Sequence, residues 1–205
     1  MKLIQQSAEV LSLHPYEDML RICVLAGRTC YKSSRDNNIA QDEKFIRNII
    51  RSGHESVLEH ASITVRLITS RTVTHQLVRH RLASYSQESQ RYVNYSKDKF
   101  DNEVTFILPK DEGILPILKH SCITAEQSYF NLLECGAKPE VARSILPNCT
   151  KTELVMTANL REWRHILKIR TAKDVQPETR ELMIEVLNKF KESYPIFFED
   201  IEVHE

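Results

Sequence analysis

Four glycines in 205 residues, Gly27, Gly53, Gly113 and Gly136, set the first limit on the fold. No two of them lie close together. A P-loop cradles phosphate with backbone amides that only clustered glycines leave exposed, and a dinucleotide-binding turn needs the same clustering. Neither can be assembled from this chain. Any phosphate it holds must be met by side chains and helix termini.

One segment supplies such side chains: Arg79-His80-Arg81-Leu82-Ala83-Ser84-Tyr85-Ser86-Gln87-Glu88-Ser89-Gln90-Arg91. Three guanidinium groups and an imidazole stand among serines and primary amides, with Glu88 as the one carboxylate. Arginine is seldom fully buried without a partner, so this run is a poor core. It is a good oxyanion clamp, because guanidinium binds phosphate through two parallel hydrogen bonds. A solvated, salt-bridged surface is the plain alternative. Reading Tyr85, Tyr92 and Tyr95 as stacking platforms gives a second alternative, a nucleic-acid module. Lys+Arg and Asp+Glu both total 28, and this zero net charge argues against general nucleic-acid binding.

The length suits one domain, and residues 1–205 are read as one. The chain has no apolar run of membrane-spanning length, and Met1 to Gln6 lacks a signal-peptide core, so a cytoplasmic protein without membrane contact is expected. The five cysteines, Cys23, Cys30, Cys122, Cys135 and Cys149, form no CxxC and read as reduced, mostly buried thiols.

Met1 to Val10 could hold an edge strand. Periodicity predicts helices over Pro15 to Cys30, 41–52 with a Phe45-Ile46-Ile49-Ile50 stripe ended by Gly53, and 71–81. A long helix with Ile123, Phe130 and Leu133 apolar runs to Gly136. Shorter helices follow over 138–145 and 160–169, then an amphipathic one over 177–194. Alternation of Ile63, Val65 and Leu67 predicts a strand over 61–69, with others over 103–108 and 150–158. Strands do not alternate strictly with helices, which points to an α+β fold.

Other groups could carry chemistry. His54 and His60, and His75 and His80, lack the spacing of a helical zinc pair, so no metal is expected. Ser56, with Glu59 three residues on, matches a capping box. Arg143 lies at an apolar helix end and needs an anion, Glu140 or Glu153 if the partner is internal. Asn159 suits a helix N-cap, and Arg170 favours the C-terminal end of the same helix. None of Ser84, Ser86 and Ser89 sits in a nucleophile elbow.

The pattern Arg79-His80-Arg81, seven residues, then Ser89, extended by Gln90-Arg91-Tyr92, resembles the signature of the flavin-dependent thymidylate synthases. Further blocks agree in order: Gly53-His54-Glu55-Ser56 with Glu59-His60, Glu140-Val141-Ala142-Arg143 with Leu146-Pro147, and Asn159-Leu160-Arg161 with Arg170. The resemblance covers roughly residues 50 to 171 and implies a central, mostly antiparallel sheet flanked by helices. It implies reductive methylation of dUMP to dTMP, with carbon from 5,10-methylenetetrahydrofolate and hydride from NADPH passed through bound FAD. Flavin contacts fall on His54, Ser56, Arg79, His80, Arg81, Gln87, Asn159, Arg161 and His165, the last standing where some relatives carry asparagine. Gln76, Arg79, Gln87, Glu88, Ser89, Gln90, Arg91, Arg143 and Arg170 would surround dUMP. Arg91 and Arg143 suit its phosphate, and Arg170 would stabilise negative charge on the pyrimidine, so no enzyme nucleophile is needed. A homotetramer with active sites shared between subunits is implied. A flavin-binding relative that has lost catalysis is the third alternative, and the presence of Arg91, Arg143 and Arg170 speaks against it.

Overall fold

The computed structural model describes residues 1–11, 14–33, 38–109, 111 and 113–203. The N-terminal stretch forms two short strands, β1 (Lys2–Ile4) and β2 (Ser7–Val10). Helices α1 (Tyr16–Tyr31) and α2 (Ile39–Arg51) follow. Asn38 caps α2, its side chain accepting from Gln41 N, and Gly53 at φ 70° takes the left-handed turn that ends it. Next come a 3-10 turn (Glu55–His60), strand β3 (Ser62–Ser70), helix α3 (Arg71–Leu77) and strand β4 (Ala83–Gln87). A short 3-10 turn (Asp98–Phe100) precedes β5 (Thr105–Ile107), α4 (Leu115–Glu134) and α5 (Pro139–Ala142). A further 3-10 turn (Arg143–Ile145) leads to β6 (Lys151–Asn159), α6 (Leu160–Arg170), α7 (Pro177–Ser193) and α8 (Pro195–Phe198).

Four strands form a sheet in the order β2-β3-β6-β4. Leu11 N donates to Thr64 O while Thr69 Oγ1 donates to Gln6 Oε1, so β2 and β3 run antiparallel. Leu160 N donates to Ala61 O and Arg71 N to Thr150 O, so β3 and β6 do likewise. Buried Ile63, Val65 and Leu67 alternate with half-buried neighbours, the pleat read from the sequence. The predicted α+β class and antiparallel sheet are thus present.

The chain divides into two compact units. The first comprises Met1–Ser7, Leu67–Arg79 and Ser86–Val155. It adds a parallel β1-β5 pair, Leu3 opposite Phe106. Tyr95, Val104, Phe106, Cys122, Tyr129 and Ala142 form its core. The face of α4 differs from the one expected: Cys122 and Tyr129 are buried, two turns apart, while Ile123 is exposed.

The second unit comprises Ala8–Arg66, His80–Tyr85 and Met156–Glu205. Its core centres on Trp163, whose ring lies 5.1 Å from Phe190 and whose Nε1 donates to Ile63 O at 2.9 Å. Helix α1 keeps a glycine in its middle at a helical cost of about 1 kcal/mol. A Cβ on Gly27 would stand 2.7 Å from the Phe45 ring of α2 and 3.6 Å from Val57 Cγ1. Arg164 is 1 % exposed, yet it is fully engaged: Nε bonds Glu55, Nη1 the Phe197 carbonyl, and both terminal nitrogens grip Asp200 at 2.7 Å. Two of the five cysteines, Cys30 and Cys135, are exposed, against the expectation of mostly buried thiols. Among the described residues no helix is long and apolar enough to cross a membrane.

Candidate active site

Arg79-His80-Arg81 follows the end of α3 and divides between the units, Arg79 closing a segment of one and His80 opening a segment of the other. Arg79 and Arg81 are exposed, while His80 is buried.

In the second unit, a cavity of about 610 Å³ forms over α6. Asn159 ends β6 and caps the helix as predicted, its Oδ1 accepting from Glu162 N at 2.8 Å. From that fixed start, Arg161, His165 and Lys168 recur at helical spacing and face the cavity. Glu55, Glu59, Leu82 and Glu162 complete its lining, and Arg161 pairs with Glu59. His54 and Ser56 are exposed at the start of the 3-10 turn that carries Glu55 and Glu59. The expected Ser56 cap is absent, because His54 occupies the N-cap and makes no side-chain bond.

Arg170 Nε donates to His80 Nε2 at 3.0 Å, and the His165 ring lies 6.0 Å from that of His80. Burial, then the charge of Arg170 and the proximity of His165, lower the His80 pKa from its usual 6.5 to about 4. His80 is therefore neutral, with its proton on Nδ1, 3.7 Å from the Glu162 carboxylate. Tyr85 donates to the His80 carbonyl at 2.7 Å and fixes the backbone there. Its own pKa rises to about 12, through burial and then the Glu162 charge.

In the first unit, the residues after β4 form a second cluster. Gln87 Nε2 donates to Thr74 Oγ1 and Thr152 Oγ1. Glu88 accepts from Tyr95 OH at 2.8 Å and pairs with Lys151 at 3.0 Å. The Ser89 carbonyl accepts from Tyr92 N and Val93 N, which turns the chain. Gln90 is buried, and its Nε2 makes no hydrogen bond. Gln76 on α3 is half-buried. Arg91 Nε pairs with Glu140 Oε2 at 3.1 Å, and Arg143 Nε donates to Glu140 O at 3.3 Å. Both guanidiniums therefore meet at one residue. Of the two carboxylates offered for Arg143, that of Glu140 goes to Arg91 and that of Glu153 to Lys151; Arg143 takes a carbonyl instead.

The tyrosines do not form a stacking strip. Tyr95 is buried on Glu88 and Tyr85 is tied to the backbone, leaving only Tyr92 of the three exposed, with Arg91 over its ring at 5.3 Å. Sequence reasoning named Glu55 and Glu59 in the resemblance blocks, and Glu59 as a cap, without giving either a place in the lining, and it missed Leu82, Glu162 and Lys168 there. The i, i+7 relation of Arg161 and Lys168 was a usable signal; nothing local marked Leu82. Among the described residues no group of three or more His, Cys, Asp and Glu side chains could hold a metal ion.

These clusters place charged and polar side chains on an antiparallel α+β frame. The family model described as thymidylate synthase complementing protein matches residues 12–196. A flavin-dependent thymidylate synthase of Geobacter sulfurreducens is 38% identical over 183 residues, spanning 86% of this chain and 79% of its own. One from Mycobacteroides abscessus is 35% identical over 200 residues, spanning 87% and 78%. Among solved structures, a UMP/dUMP methylase, PolB, from Streptomyces cacaoi, bound with 5-Br dUMP, superposes with a TM-score of 0.82 at 23% identity, over 97% of this chain and 96% of that one. That likeness speaks to the fold.

The chain belongs to the thymidylate synthase complementing protein family, and its named relatives are enzymes.

Proposed function

We propose that this protein converts dUMP to dTMP, with 5,10-methylenetetrahydrofolate as carbon donor, NADPH as reductant and FAD as bound cofactor. The observation that carries this reading is the meeting of Arg91 and Arg143 at Glu140. Two guanidiniums held by one exposed acidic residue form a site that a phosphate dianion can take over, gaining bidentate hydrogen bonds. The relatives named above support the nucleotide and the flavin.

The residues present fit both groups. Gln90 Nε2 is an orphaned buried donor of the kind a ligand acceptor satisfies. The cavity over α6 offers an amide, a guanidinium, an imidazole and an ammonium beside apolar Leu82, together with the carboxylates of Glu55, Glu59 and Glu162. FAD would be held by His54, Ser56, Arg79, His80, Arg81, Gln87, Asn159, Arg161 and His165. When bound, it supplies the hydride. Gln76, Arg79, Gln87, Glu88, Ser89, Gln90, Arg91 and Arg143 would orient dUMP. Arg170, held through Nε by His80, is a preorganised cation for charge that develops on the uracil ring. Ser89 then positions the substrate and does not attack it.

Residues 1–205 would act as one cytoplasmic domain, a reading supported by a family match that runs through both units. A homotetramer with shared sites would complete each centre. The test is anaerobic incubation with dUMP, methylenetetrahydrofolate and NADPH, with and without FAD. Flavin-dependent dTMP is expected. Flavin-loaded protein that makes none, or dTMP formed without flavin, would sink the proposal.

A further inference from the structure

The sequence separates Cys122 from Cys149 by 27 positions, yet the fold brings their sulfurs within 3.6 Å. Cys122 lies on α4, wholly buried; Cys149 is half-buried just before β6. Both pack on the aromatic core of the first unit. That separation leaves about 1.5 Å to close to the disulfide bonding distance of about 2.05 Å.

We propose that Cys122 and Cys149 form a reversible oxidative modification site, a dithiol that a peroxide converts to an intramolecular disulfide. The half-buried thiol reacts first. The Cys149 thiolate attacks one peroxide oxygen, giving a sulfenic acid and, from hydrogen peroxide, hydroxide. Cys122 then attacks that sulfur. The S–O bond breaks as the S–S bond forms, and the proton of Cys122 leaves with the departing oxygen as water. Two thiols and one peroxide thus give one disulfide and two waters. Burial, and then Cys149 itself, hold the Cys122 thiol up at about 12, so the second step quickens as pH rises. Exposed Cys30 and Cys135 serve as internal controls.

The bond would close a loop containing α5, Glu140 and Arg143 and tie α4 to the residues before β6. Constraining a loop of that length raises the melting temperature of the oxidised form.

The experiment treats the full-length protein with hydrogen peroxide, alkylates remaining thiols, and maps peptides by mass spectrometry. The expected result is a peptide pair joined through Cys122 and Cys149, lighter by two hydrogens and released by dithiothreitol. Formation should be faster at pH 9 than at pH 7, roughly tenfold or more if thiolate supply limits it. Cys122→Ser should leave a Cys149 sulfenic acid that a 1,3-diketone probe traps. Cys122 and Cys149 both alkylated after Cys30 and Cys135 have been oxidised would overturn the proposal. So would a crosslink confined to Cys30 or Cys135 between molecules.

Discussion

The guanidinium of Arg170 donates to Nε2 of His80, and burial together with this cation keeps the imidazole neutral. An acceptor nitrogen facing a fixed cation cannot also carry a proton. His80 is therefore stabilised as the neutral ring, with a pKa of about 4 in the folded chain against its usual 6.5. Between those values the unfolded chain binds the extra proton, so folding stability rises with pH across that window. The integrated effect is on the order of 3 kcal/mol, complete above about pH 6.5 and lost as pH falls towards 4. Urea titrations from pH 4 to 7 should show this slope, and His80→Gln should flatten it. An unchanged slope in the variant would remove His80 as its source.

Arg170→Ala is expected to retain flavin and lose methylation by roughly 100-fold or more, the loss typical of a removed charge-stabilising donor. Single-turnover reaction of prereduced enzyme measures it. The same variant should let the His80 pKa climb, visible in its NMR titration. A normal rate would take Arg170 out of the chemistry.

Arg91→Ala and Arg143→Ala should each weaken dUMP about tenfold or more while leaving deoxyuridine nearly unaffected, because the lost bonds go to the phosphate. Equal weakening of both ligands would show that these arginines serve the fold instead. Arg91 also releases Glu140 when removed, so the double variant should be less than additive.

Asp200→Ala leaves the buried Arg164 charge with Glu55 and a carbonyl. Burial pushes the Asp200 carboxyl up, but the Arg164 bonds outweigh it and hold its pKa below the ordinary value. The expected loss is about 2 kcal/mol by chemical denaturation, since Arg164 loses a two-pronged, charged hydrogen-bond partner but keeps Glu55. A loss under 1 kcal/mol would mean that water replaces the carboxylate at no cost.

Most elements were legible because their side chains repeat at one period. Ile63, Val65 and Leu67 announce β3, and Asn159 announces the start of α6. Strand β4 was not legible: Ala-Ser-Tyr-Ser-Gln contains no β-branched residue, and its extended form comes from lying beside β6 in the sheet. Helix α3 stops at Leu77, short of the expected Arg81, and the three-residue basic run that follows cannot bury a helical face. The face of α4 slipped by one residue because Cys122 and Tyr129 are ambiguous in hydropathy, while Ile123 looks apolar and is exposed. In the site, charged residue types were legible and their partners were not. Nothing in the one-dimensional order tells Arg143 to take a carbonyl or sends Glu153 to Lys151.

Gly27 sets how closely α1 can approach α2. The hydrogen at this position is a spacer of minimum thickness, with the Phe45 ring tight against it and Val57 at ordinary contact distance. Val57 belongs to the same turn as Ser56 and Glu59. Thickening that spacer by a single methyl drives it into the Phe45 ring while leaving ordinary contact with Val57, so a change at position 27 would be felt first as a loosened pairing of α1 with α2.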